Sequence, residues 1–293
     1  MPLMHQRPRR SDARPLLRSL VQKAVRRGDA RLAETVACRL AELGDSEWLR
    51  TRTGVIAFEE CWQYGTRLLQ NPPLVALCEI ARMRKDKEAA GLGSLAHAVA
   101  GGDFSALDAA PDPVAVKIVA ASLTRTNEFF SWAARTCQGE EQGRLLEAAR
   151  MYFPRASWPW DKAFASAAAY FASCGASLGL EPVPMAIAQV AQCPLWVAVD
   201  KHTPIGKLAL RRTASKIQVP IDQLEWASFY FESAFCNERV SGAWWPAEMA
   251  WRLQKVRLQV AEAEAMWDAA RDCMQREVSE GVEALEAVLT PPR

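Results

Sequence analysis

Residues 16–64 read LLRSLVQKAVRRGDARLAETVACRLAELGDSEWLRTRTGVIAFEECWQY, and their punctuation decides the fold class. Leu16, Leu20 and Ala24 recur at helical spacing, and the run stops at Gly28. Asp29 can cap the next helix by accepting from its free amides. Leu32, Val36, Leu40 and Leu43 then follow the same period, and Gly44 ends it. Asp45 or Ser46 starts a third element that carries Trp48, Leu49, Val55, Ile56 and Phe58. Links this short imply antiparallel neighbours, so the stretch is a packed helical unit.

Outward from this unit, helical spacing continues. Asn71-Pro72-Pro73 opens a helix expected to reach about residue 87. Residues 86–93 read as a polar break, 95–100 as a short helix, and 103–113 as a turn-rich connector. Helices fit 114–123, 127–137 and 140–153. The segment PRASWPWD at 154–161 is a Pro- and Trp-rich break and the expected boundary. Long helices are expected at 161–178, 183–198, 205–217, 221–236 and 247–288. The last carries an apolar stripe including Met249, Leu253, Val256, Val260 and Trp267, suited to packing along a bundle or pairing with another subunit. No alternating run long enough for a sheet occurs, and no repeat has a fixed period. Loosely recurring helix pairs leave an α-solenoid open. The expected fold is all-α, a multi-helix bundle or collar-like array. It comprises a basic arm at 1–12, a helical subdomain at 13–153 and a second at 154–293.

Composition narrows the chemistry. Half the 293 residues are hydrophobic and the net charge is +2, so global charge selects no partner. The bases concentrate early: residues 1–27 hold seven Arg and Lys23 against Asp12 alone. The eight cysteines form no C-x-x-C pair, and a metal centre needs clustered ligands, so no metal or cofactor is expected. Isolated thiols suit a reducing cytoplasm. The first residues lack the apolar core of a secretory signal. The runs 163–180 and 182–199 are uncharged and near the spanning minimum. Small residues in one, and Gln and Pro in the other, point to buried helices instead.

Few catalytic motifs are supplied. There is no G-x-x-x-x-G-K-[ST]; the nearest fragment, Pro204-Ile205-Gly206-Lys207, lacks the first Gly and the hydroxyl residue. Asp200 and His202 make a candidate acid–base pair with Lys207 as an anion holder. The same segment also reads as a capped turn, with Thr203 as N-cap and Pro204 at the first helical position. Lys201, Lys207, Arg211, Arg212 and Lys216 have no acid between them and suit phosphates at a helix start. With Arg7, Arg9 and Arg10 of the arm they are the expected DNA contacts. Trp226, Phe229 and Tyr230 share a helix face, which reads as core packing. Trp244 and Trp245, expected in a loop, are the candidate partner-binding residues. Glu59-Glu60 and Glu140-Glu141 point about 100° apart on a helix and make no dyad without outside partners.

The opening unit also resembles the helical region that follows the ATPase core in the replication-associated recombination protein A family, relatives of the clamp-loader ATPases. The family's basic turn is matched by Lys23, Arg26, Arg27, Gly28 and Asp29. Its next turn is matched by Gly44 and Asp45, and its basic helix with an acidic end by Arg50, Arg52, Ile56, Ala57, Phe58, Glu59 and Glu60. The family's Gly-x-x-Asp-Pro after the acidic pair is missing, so that loop should differ, and no ATPase-like sequence precedes the match. The resemblance implies an oligomerisation collar without its motor: a non-catalytic accessory or adaptor of DNA replication, recombination or repair. Its expected partners are a second copy, a clamp-loader-like ATPase and DNA, with no membrane. The alternatives are a small cytoplasmic enzyme centred on Asp200, His202 and Lys207, and a helical scaffold with no nucleic-acid role.

Overall fold

A computed structural model describes residues 13–290. The described residues contain sixteen α-helices, with two isolated β-bridges and no strand. The protein is an all-α array. The opening unit forms as its punctuation predicts: α1 (Arg14–Arg26), α2 (Ala30–Glu42) and α3 (Ser46–Glu60). Gly28 and Gly44 take the left-handed conformation that ends a helix, at φ 80° and 79°. The amides that follow fold back, Asp29 N–H to the Ala24 carbonyl and Asp45 N–H to the Leu40 carbonyl, both at 2.9 Å. The Asp29 carboxylate caps α2 by accepting from Leu32 N–H at 3.0 Å.

The next helices are α4 (Pro73–Arg82), α5 (Glu88–Ala100), α6 (Ser105–Ala109), α7 (Pro113–Ser122), α8 (Thr126–Thr136) and α9 (Glu140–Tyr152). The array continues with α10 (Pro159–Ser173), α11 (Met185–Val190), α12 (Pro204–Ile217) and α13 (Ile221–Ser228). It ends with α14 (Trp244–Lys255), α15 (Val260–Glu277) and α16 (Ser279–Leu289). The centre of the packing is α5, which meets α7, α10 and α14. Residues 89–96 of α5 are all buried, and Ala163, Ala165, Ala167, Ala168 and Ala169 line α10, so small side chains bring the two helices close. One hydrophobic core runs from Leu16 to Leu285. The parts expected at 13–153 and 154–293 share it, because α10 packs on α3, α5 and α9.

Several boundaries differ from the sequence reading, each for a local reason. The polar break at 86–93 is instead the start of α5; Lys85 and Lys87 look solvated in sequence but are buried. The first opening helix after Asn71 accordingly stops at Arg82, and the connector at 103–113 contains α6. The expected helix at 183–198 is only α11 plus a 3-10 turn at Leu195–Ala198; Pro184 and Pro194 cannot supply helical N–H donors. The helix expected at 221–236 ends at Ser228 and passes into a π turn at Phe229–Ser233. The expected 247–288 helix is three helices. Arg257 takes φ 57°, and Gln259 and Glu262 then form a reciprocal capping box that starts α15. No helix of the described residues is long and apolar enough to cross a membrane.

Candidate functional site

The last turn of α1 points inward and carries Lys23, Arg26 and Arg27, all buried. The sequence groups them with the bases concentrated in residues 1–27; the structure places them at the centre of an ion-pair network. Lys23 Nζ donates to Ser19 Oγ at 2.7 Å and to the Asp200 carboxylate. Arg26 forks between Glu60, Glu59 (2.7 Å) and the Ser233 carbonyl. Arg27 reaches the Glu232 carboxylate and, at 3.0 Å, the Glu232 carbonyl. Their position at a helix C-terminus also suits positive charge.

Neighbouring elements extend the network. Lys87 pairs with Glu60 at 2.9 Å and lies 4.7 Å from the Trp245 ring centroid. Glu232 also accepts from Trp267 Nε1 at 3.1 Å and faces Arg271 at 3.4 Å. Lys85 Nζ donates to the carbonyls of Ile80 (2.9 Å), Ala81 (3.1 Å) and Met83 (2.5 Å), using all three ammonium donors. Glu59 and Glu60 thus gain the outside partners that an adjacent pair lacks, and those partners are cations; burial alone would push the Glu59 carboxyl up, but Arg26, Lys87 and Arg52 hold it below its usual range. Removing water from each of these charges costs several kcal/mol, so the arrangement persists only because the groups answer one another.

The turn at 200–203 sits against this network. Thr203 Oγ1 caps α12 by accepting from Gly206 N–H at 3.0 Å, and it donates to the Asp200 carbonyl at 2.9 Å. A Cβ at Gly206 would collide with that same carbonyl oxygen, so only glycine allows the close approach. Asp200 accepts from His202 N–H at 2.9 Å and lies 3.1 Å from His202 Nδ1. Burial alone would push the Asp200 carboxyl up, but Lys23 and His202 hold it well below the usual carboxylate range. The two side chains of the expected acid–base pair are thus in contact, with His202 63% exposed in its side chain. Its cation is Lys23; Lys207 is exposed a turn further on. Beside Asp200, a cavity of about 10 Å³ lined by Ser228, Glu232, Ser233, Trp196 and Trp267 has room for one water.

The expected DNA contacts divide. Lys207, Arg211, Arg212 and Lys216 are all exposed on α12, but Lys216 and Arg212 (3.5 Å) pair with Glu277 of α15. Lys201 does not face solvent phosphate. It lies over the rings of Trp226 and Phe229 at 4.1 and 5.1 Å, and burial lowers its pKa. Arg7, Arg9 and Arg10 fall outside the described residues. Trp244 and Trp245 open α14 and are not in a loop. Trp244 is buried against Phe171 and gives no free face to a partner, and Trp245 is half-buried over Lys87. The aromatic run packs as expected, with Trp226 stacked on Tyr230 at 5.9 Å.

Sequence reasoning missed the partners Lys23, Lys85, Lys87 and Glu232, and also Arg252. The Arg252 guanidinium lies 4.6–5.0 Å from the rings of Trp160, Trp226 and Trp251. The only advance signal is the number of charges on otherwise apolar helix faces. No group of three metal-ligating side chains occurs among the described residues. Burial pushes the Cys61 and Cys193 thiols up to about 12 and Cys236 up to about 11, away from thiolate reactivity. No protein-family model, curated protein or solved structure matches this chain.

Proposed function

We propose that this protein is a non-catalytic accessory or adaptor of DNA replication, recombination or repair: a collar-like helical module that binds protein partners and contacts DNA. One observation carries the reading. Lys23, Arg26, Arg27, Glu59 and Glu60, charged residues behind the resemblance, are all taken up in ion pairs inside the fold: Arg26 with Glu59 and Glu60, Lys23 with Asp200 and Arg27 with Glu232, and these brace α1 against α3 and the 200–237 region. They serve as a frame, and the reading assigns partner contact to the outer surface; Lys207 and Arg211, exposed on α12 and without an ion pair among the described residues, support it.

The test uses the purified chain, a clamp-loader-like ATPase from the same source and labelled DNA. Light scattering on a sizing column reads self-association and ATPase binding; fluorescence anisotropy reads DNA binding as salt is raised. Salt-dependent DNA binding together with a complex supports the adaptor reading. A monomer that binds neither sinks it.

The 3.1 Å approach of His202 to buried Asp200 favours a second reading, a small enzyme with His202 as the acid–base group. Loss of a measured activity in His202→Ala, with melting unchanged, supports it. An activity unaffected by that change counts against it.

A further inference from the structure

Trp158 is 70% exposed, although a tryptophan has the most apolar surface to hide. It occupies the position just before α10, and its carbonyl accepts from Lys162 N–H at 3.2 Å. The turn behind it is fixed: Ala156 N–H donates to the Tyr152 carbonyl at 3.1 Å, and Tyr152, Phe153 and Ala156 are buried. The indole is therefore presented to solvent by an ordered scaffold, with half-exposed Met151 close by in the chain.

Cations lie close to it in the chain. Arg155 lies over the Tyr152 ring at 5.7 Å and Lys162 over the Phe153 ring at 5.6 Å. Neither makes an ion pair among the described residues, and Arg150, exposed at the end of α9, makes none there either. Burial pushes the Tyr152 hydroxyl up while Arg155 and Arg50 pull against it. Asp161, the acid nearest in sequence, is buried and taken by Arg52 at 2.8 Å. Glu47 is engaged by Arg50, and Glu147 lies one turn before Arg150. Trp158 is thus an exposed indole flanked in the chain by Arg155 and Lys162, which rest on the rings of Tyr152 and Phe153.

We infer that this patch binds single-stranded nucleic acid, with Trp158 stacking on a base and Arg150, Arg155 and Lys162 facing the phosphates. A duplex keeps its bases stacked and offers Trp158 no ring face. An acidic peptide would use the cations and leave the indole idle. The inference rests on the DNA role proposed above and adds the strand type and the place, which is distinct from α12.

The experiment is fluorescence anisotropy of the full chain with a labelled oligodeoxythymidine of about 15 nucleotides, at about 50 mM and about 200 mM salt. Trp158→Ala weakens binding about tenfold or more at both salts, while Trp158→Phe keeps most of it because a ring remains. Arg155→Ala with Lys162→Ala weakens binding mainly at low salt and flattens the salt slope. Melting temperatures stay at the parent value, since these side chains are largely solvated. If the parent binds and Trp158→Ala binds equally well, the patch is not the site, although the DNA role stands. If the parent binds no nucleic acid, both readings fall together. If duplex binds as tightly as single strand and polyglutamate displaces either one, the patch is a charge surface and the stacking proposal is overturned.

Discussion

Lys23 and Asp200 share a buried ion pair although 177 positions separate them in the chain. The pair joins α1 to the turn that starts α12, and Ser19, Ser233 and His202 complete its shell. Each charge is tolerable only with its partner present.

Removing one partner should therefore hurt more than removing both. Lys23→Met alone leaves Asp200 as an unpaired interior anion and is expected to cost about 3–5 kcal/mol. Lys23→Met with Asp200→Asn should recover a large part of that loss. Urea unfolding of the two single variants and the double variant measures the coupling; additive costs would show that the pair is not a unit.

The same pair sets an acid limb in stability. The folded-state pKa of Asp200 lies below its unfolded value, which is about 3.9. Its contribution is fully present above that unfolded value and is lost as the pH falls below it, at up to about 1.4 kcal/mol per pH unit for one proton. Between pH values of about 4 and 2 the parent should lose stability more steeply than the Lys23→Met/Asp200→Asn double variant. Parallel curves would remove Asp200 from the acid response.

Gly206→Ala tests the close approach of α12 to the Asp200 carbonyl. The added methyl must displace backbone, so destabilisation of about 1–3 kcal/mol is expected, measurable by calorimetry. An unchanged melting temperature would mean that the turn shifts freely, and Asp200 would then not be held by it.

On α12, changing Lys207, Arg211 and Arg212 together to Ala should cost within about 0.5 kcal/mol each, because all three are exposed and only Arg212 reaches Glu277. If α12 contacts DNA, affinity should fall strongly at low salt and less at high salt. A variant that folds and binds like the parent clears α12 of that role.

Local signals were legible where the cause was local. Gly28, Asp29 and Gly44 mark real helix ends, and Thr203 and Pro204 really start α12. The array of helices follows from the 3.6-residue period. The failures have two physical sources. Small residues and proline misled: Gly91 and Gly93 lie inside α5, while Pro184 and Pro194 interrupt an apolar run that periodicity alone reads as helix. Burial of charge misled more. Lys23, Arg26, Lys85 and Lys87 resemble surface residues, because the carbonyls and carboxylates that satisfy them come from other segments. The Asp200–His202 pair was legible because its members are two residues apart; its third member, Lys23, was not. The acid-free run at 201–216 looked unopposed only because Glu277 arrives from α15.

The reach of these contacts has a consequence for biosynthesis. Arg27 and Arg26 find their acceptors 205 and 207 positions downstream, and the Arg27 carbonyl receives Asn237 Nδ2 from 210 positions away. A ribosome adding about 5–20 residues per second needs on the order of 10–40 s to supply them. Arg26 meets Glu59 and Glu60 within 34 positions, whereas Lys23 and Arg27 wait for the carboxylates of Asp200 and Glu232. The buried charges of the opening unit are therefore fully answered only when the 200–237 region arrives. A later segment completes the charge pairing of an earlier one.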